Sequence, residues 1–260
     1  MKRLAVATRL IVAVTVANLA LPTIEAGAAG VYENATAEPA FLLSARRPSL
    51  RADLDFSRND PVEASIYRIG ATFPLRTAFM LGVEQTFVSR AEGDTIQGGI
   101  GDLYIRASAR PWHGDGWAFL LLGYLGTGTT KQEYFPYSSK TTDVSTSVAF
   151  VDSIGDVTLY ATAGRTWINR TEEVRPVDVR NADHWRGSAG VAIGSGDVRA
   201  SGGTLAQYTE DKAQRWIWWG GVDFIATDAL VLRASFQKEV GEEAQRVSDW
   251  AASAGFTVRF

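Results

Sequence analysis

Side chains suited to acid–base chemistry are scarce in this sequence. Two histidines, His113 and His184, stand against no cysteine in 260 residues. His184 follows Asp183 and precedes Ser188 by four positions, and an imidazole can activate a serine hydroxyl as general base. A lipid hydrolase would need that His184–Ser188 pair at an external rim. The phase of the surrounding segment turns His184 inward, whereas a fatty-acyl substrate would lie outside, so a rim histidine without catalytic duty competes with the hydrolase. Two histidines in unrelated segments make a poor metal site, and the missing cysteines exclude disulfides and thiolate ligands. Glu172, Glu173, Glu242 and Glu243 could hold a cation weakly or simply be solvated. The stretch "GGIGD" at 98–102 leads into a strand pattern, not a helix, so it lacks the geometry of a phosphate cradle. None of these patterns asks for a cofactor.

The remaining charged residues recur at every second position, which is the period of a β-strand with two different faces. In "SLRADLDFS", Leu50, Ala52, Leu54 and Phe56 oppose Arg51, Asp53 and Asp55. In "GDLYIRASAR", Leu103 and Ile105 oppose Asp102, Tyr104 and Arg106. In "WIWWGGVDFI", Trp216, Trp218, Val222 and Phe224 oppose Asp223, with Ile217 and Trp219 breaking the polar face. Carried along the chain, the phase gives a polar set of Arg51, Asp53, Asp55, Arg68, Glu84, Asp102, Tyr104, Arg106, Arg186, Arg199, Gln207, Asp223, Arg233, Gln237 and Arg259. Its two signs can pair and fill an interior, as buried charge requires. Alternatively they can line a wet passage and set its size and charge preference.

The elements that must position these residues are long. Alternating segments fall at 49–57, 63–73, 77–90, 97–110, 116–127, 141–152, 156–169, 183–194, 197–209, 213–226, 229–240 and 248–260. Sandwich strands run to ~5–6 residues, whereas a tilted strand crossing a bilayer takes ~9–11. Connections at 74–77, 111–116, 153–156, 195–197 and 227–229 are tight, and those between them grow long and polar, as at 127–141 and 170–183. Short periplasmic turns alternating with longer external loops are the asymmetry of an outer-membrane barrel. The expected fold is therefore all-β, an antiparallel up-and-down transmembrane barrel of about twelve strands. Aromatics such as Phe56, Tyr67, Trp112, Trp117, Trp167, Trp185, Trp216 and Trp250 gather near strand ends, where a barrel carries its interfacial girdles. Two segments resist phasing: "WAFLLLGYLG" is apolar on both faces, and "VTLYATAGRTWIN" leaves Arg165 facing either lipid or lumen.

The chain ends on "DWAASAGFTVRF", an alternating strand finished by an aromatic. Backbone in lipid must be paired internally, so the last strand is expected to close on the first. Phe256, Val258 and Phe260 resemble the carboxy-terminal signal read by the barrel-assembly machinery. At the other end, Lys2, Arg3 and Arg9 precede an apolar run and Ala26-Gly27-Ala28, the layout of a cleaved signal peptide over 1–28; an uncleaved anchor is the alternative. Residues 29–48 read as an irregular periplasmic lead, and 49–260 as the barrel. No later apolar run approaches the ~20 residues of a membrane helix. A net charge of −3 argues against nucleic-acid binding, which draws on clustered cations.

"IQGGIGDLYIRASARPW", followed by "FLLLGYLGTGT", is similar to the Gly-Leu-Gly-Asp strand and the following strand end of the MetA-pathway of phenol degradation family. The preceding "IYRIGATFPLRTAFMLGVEQTFVS" resembles that family's paired early strands, so the likeness spans roughly 60–130. Thr127-Gly128-Thr129 departs from the family's Pro-Thr-Gly. The resemblance implies an outer-membrane transporter or channel for small, aromatic or hydrophobic molecules, with outer-membrane lipid around it, and assigns no site. A lipid-modifying hydrolase and a plugged structural or adhesion barrel, its long loops binding a partner, are the other readings.

Overall fold

The structure, a computed structural model, describes residues 48–59, 62–76, 79–128, 142–169, 183–195, 197–210, 214–240 and 249–260. The expected leader, the lead up to residue 47 and most of the two long connections lie outside these residues. Among the described residues twelve strands follow in order. They are β1 (Ser49–Asn59), β2 (Val62–Arg76), β3 (Phe79–Glu92), β4 (Thr95–Gly114), β5 (Trp117–Gly126) and β6 (Thr142–Ile154). The second half comprises β7 (Val157–Asn169), β8 (His184–Ser195), β9 (Val198–Thr209), β10 (Gln214–Thr227), β11 (Leu230–Val240) and β12 (Trp250–Arg259). Each pairs antiparallel with its chain neighbours, and β12 pairs with β1 to close the barrel.

The closing register runs from Ser49 opposite Arg259 to Arg58 opposite Trp250. Two further backbone bonds extend it: the Phe260 N–H donates to the Pro48 carbonyl at 2.9 Å, and the Asp249 N–H to the Arg58 carbonyl at 2.8 Å. No edge is left between these strands, which is what a sheet in hydrocarbon needs, because each unpaired backbone group there costs several kcal/mol.

Alternation decides which face is which. Leu54, Ile105, Leu232 and Phe236 are 38–51% exposed on the outside, while Asp55, Arg68, Thr86 and Glu239 inside are at most 2% exposed. Aromatics pack near the rims of the outer band, with Phe56 against Trp250 at 5.6 Å and Trp112 against Phe119 at 5.4 Å. The two unphased segments resolve for different reasons. In β5, Ala118, Leu120 and Tyr124 are buried inside and Leu121 faces out, so its inner face is apolar in its own right. In β7, Thr166 is fully buried and Arg165 points outward, lying 5.1 Å from the Trp185 ring and 5.9 Å from the Trp167 ring. There it pairs with Glu210 at 2.8 Å, a cation at the membrane rim resting on aromatic faces.

Among the described residues the tight turns fall near their expected places but are shorter, with 74–76 in β2, 153–154 in β6 and 227 in β10. Gly116 and Gly155 take φ of 84° and 61°, the positive values that two-residue hairpins demand. At 111–116 the expected six-residue turn is shorter, because Pro111, Trp112 and His113 continue β4, with His113 opposite Ala118. His113 is thus a strand residue. A register shift between Ala109 and Trp112 takes up Pro111, which has no N–H for the ladder and fits a bulge.

A second bulge explains "GGIGD". Between Gln85 and Phe87 the β3–β4 register slips, so Gly101 and Asp102 are both buried although adjacent. The Thr86 hydroxyl donates to the Asp102 carbonyl at 3.0 Å, and the Gln85 amide to the Gly101 carbonyl at 2.9 Å. A Cβ at Gly101 would collide with the Thr86 side chain. The glycine is there to let the bulge close, and the shift re-aims Asp102, Tyr104 and Arg106 inward.

Candidate functional site

The inner wall has two sectors of different character. Along β10–β12 and β1–β4 it is charged. Arg68 meets Asp55 at 2.7 Å with both side chains 2% exposed, and Arg106 meets Glu84 at 3.2 Å. Arg51 is paired through Nε with Asp53. Arg233 reaches Asp223 at 3.1 Å and lies 3.9 Å from Asp53. Asp223 stands between Arg233 on β11 and Arg199 on β9 in the strand registers. Higher toward the long-loop end, Arg215 on β10 grips Glu239 on β11 through two nitrogens, Nε at 2.7 Å, and donates to Gln207 on β9 at 3.0 Å. A guanidinium and a carboxylate buried this far need each other as hydrogen-bond partners.

From β5 through β10 an apolar cluster is set among buried polar groups such as Asp143, Thr162, His184 and Arg186. Ala118, Leu120, Ala149, Val151, Tyr160 and Trp219 form one buried cluster, with Leu122 packed against it. Tyr160 and Trp219 belong to strands three apart, yet their rings stack at 6.0 Å and 20°. What brings them together is a bare strip between. Tyr160 is opposite Gly190, Gly190 opposite Gly203, and Gly203 opposite Trp219. A Cβ on Gly190 would stand 2.6 Å from Tyr160 Cζ, and one on Gly203 would stand 2.8 Å from Trp219 Cζ2. The two rings therefore lie down over two glycines as a flat aromatic shelf. A second stack, Tyr104 on Tyr124 at 5.2 Å, marks the boundary between the sectors.

Arg51, Asp53, Asp55, Arg68, Glu84, Asp102 and Tyr104 are buried within the barrel, and Arg106, Arg199, Asp223 and Arg233 are half-buried on the same face. The structure does not bring His184 and Ser188 together. Both face inward, but four residues along one strand separate them by about 13 Å. His184 neighbours Gln207 at 3.5 Å, and Ser188 shares a hydrogen bond with Thr162 at 2.7 Å. Among the described residues no group of acids and histidines is placed to hold a metal. Sequence reasoning missed Arg215, Glu239 and Tyr160, and treated Trp219 as an interruption. The signal was present: Arg215 and Trp219 share the parity of Asp223, and Glu239 that of Arg233.

The barrel is similar to an outer membrane channel from Pseudomonas putida F1, at 12% identity and TM-score 0.62, covering 92% of this chain and 98% of that one. It is similar to the NanC porin at 9% identity and TM-score 0.60, covering 82% and 100%. It also resembles the KdgM porin in complex with disordered oligogalacturonate, at 8% identity and TM-score 0.57, covering 82% and 99%. At such identities the likeness is one of fold, and no curated protein matches the chain. A closed barrel with an apolar outer band is a fold of the bacterial outer membrane, and this is an outer-membrane protein. The model of the MetA-pathway of phenol degradation family matches residues 49–260, from the first residue of β1 to Phe260, and the chain belongs to that family.

Proposed function

We propose that the barrel is a narrow channel for passive movement of small solutes, aromatic or hydrophobic molecules among them, across the outer membrane. The observation that carries this reading is the uneven lumen: paired charges along β10–β12 and β1–β4 face an apolar cluster that ends in the Tyr160–Trp219 shelf. A solute with an apolar body slides along one wall while water and charge occupy the other, and neither has to be fully stripped of its partners. Arg51, Arg68, Arg106, Arg199 and Arg233, with Asp53, Asp55, Glu84, Asp102 and Asp223, set the size and charge preference of such a passage. Insertion by the barrel-assembly machinery through Phe256, Val258 and Phe260 belongs to the same reading.

Reconstitution in a planar bilayer tests it. A channel gives discrete conductance steps, and silence from a barrel shown to be folded refutes it. The close packing of the inner side chains favours a second reading, a plugged barrel that acts through its long loops. Deleting 129–141 and 170–182 would abolish that activity and leave conductance steps in place under the first reading.

A further inference from the structure

Between β1 and β6 the inner wall recedes into a cavity of about 680 Å³, counting the open space it shares with the lumen. Arg51, Glu84 and Arg106 line its charged side, and Met80, Leu122 and Tyr124 its apolar side. Gly70 and Gly82, inward on β2 and β3, leave the wall between them bare. Arg51 is 9% exposed. Its Nε is engaged by Asp53, but its Nη2 is buried and has no acceptor.

We propose that this cavity binds a small organic monocarboxylate, its acid group on Arg51 and its compact apolar body against Leu122 and Tyr124. A buried donor on a charged group is costly to leave unmade, and a carboxylate is the acceptor whose geometry suits a guanidinium edge. The single carboxylate lining the cavity, Glu84, is held by Arg106 at 3.2 Å. Asp53 and Glu84 each engage one guanidinium, so selection for a carboxylate over a cation of the same shape rests on the unmet Nη2 donor of Arg51. The apolar side rejects a head without a body: acetate would satisfy Nη2 and leave Leu122 and Tyr124 uncovered. The site rests on the channel reading only in that its ligand arrives through the lumen.

Calorimetric titration of the full barrel in detergent micelles, with benzoate as probe, tests the proposal. Benzoate binds, while acetate and benzyl alcohol bind at least tenfold more weakly and benzylammonium does not bind. Arg51→Met lowers benzoate affinity at least tenfold. Because that change also strands Asp53, Gly82→Leu serves as the second variant. A Cβ at Gly82 meets nothing closer than 3.6 Å, so the leucine starts in open space, removes neither Arg51 nor Asp53, and fills the cavity beside Arg106; benzoate binding is lost from a barrel that still folds. Equal affinity for benzoate and benzyl alcohol, or full affinity in a folded Arg51→Met or Gly82→Leu barrel, overturns the site. Conductance steps that benzoate leaves unblocked, with no heat of binding, sink the site and spare the channel. Binding in micelles with a silent bilayer sinks the channel and spares the site.

Discussion

Replacing Glu239 by leucine would strand the Arg215 guanidinium in a space where the two side chains are 0% and 3% exposed. Arg215 spends Nε and Nη2 on Glu239 and Nη1 on Gln207, so removing the carboxylate unmakes two of its three contacts. Breaking a buried pair by deleting one partner typically costs ~3–5 kcal/mol, and Glu239→Leu and Arg215→Met should each fall in that range. Removing both charges together leaves neither stranded. The Arg215→Met/Glu239→Leu barrel is expected within about 1–2 kcal/mol of wild type, which makes the coupling between the two sites at least about 4 kcal/mol. Guanidinium-induced unfolding in detergent micelles, followed by tryptophan emission, gives all four corners of the cycle. Single changes below ~1 kcal/mol with no coupling would mean that lumen water solvates the pair as it does a surface bridge. The upper lumen would then be wet at Arg215 and Glu239.

Gly203→Val must shift strand and ring together, since even a Cβ there stands 2.3 Å from the Ala189 carbonyl oxygen and 2.8 Å from the Trp219 indole; overpacking costs at least ~1–3 kcal/mol in the same unfolding assay, and the displaced ring should also shift the tryptophan emission. Leu54→Arg puts a charge on the lipid face halfway along β1, where ~2–4 kcal/mol is expected near the bilayer midplane; urea titration of barrels folded into lipid vesicles measures it, and a change near zero would mean that Leu54 does not face hydrocarbon. Arg165→Ala should cost under ~1 kcal/mol in the same assay, because its partner Glu210 is 71% exposed and an exposed bridge contributes little.

Strand positions and facing could be read from the sequence because lipid imposes a strict rule on the outer face. Leu50, Leu54, Ile105 and Phe236 had to alternate with Arg51, Asp55, Arg106 and Gln237, so their orientation followed from parity. The apolar cluster of the lumen was hidden for the same reason. A two-letter pattern of polar and apolar cannot distinguish Leu120, which faces the lumen, from Leu121, which faces lipid, so β5 looked featureless. Arg165 was ambiguous because charge outside the barrel is allowed at the rim, where Trp167 and Trp185 support it. The bulges at Gln85 and Ala109 shift register by one residue, and nothing in periodicity marks them until the partner strand is known. The cavity by Arg51 needs six strands at once, and so lay beyond any reading made strand by strand.

Ser49 meets Arg259 across the closing seam, which gives this molecule a particular birth. Its two flanking staves are the most distant in sequence, and joining ends some 200 residues apart costs about 5 kcal/mol of chain entropy. Eleven staves without the twelfth still carry two raw borders that lipid will not tolerate. Insertion and ring closure must therefore coincide, and lesions along the β1–β12 join should lower how many barrels are made without altering those that are.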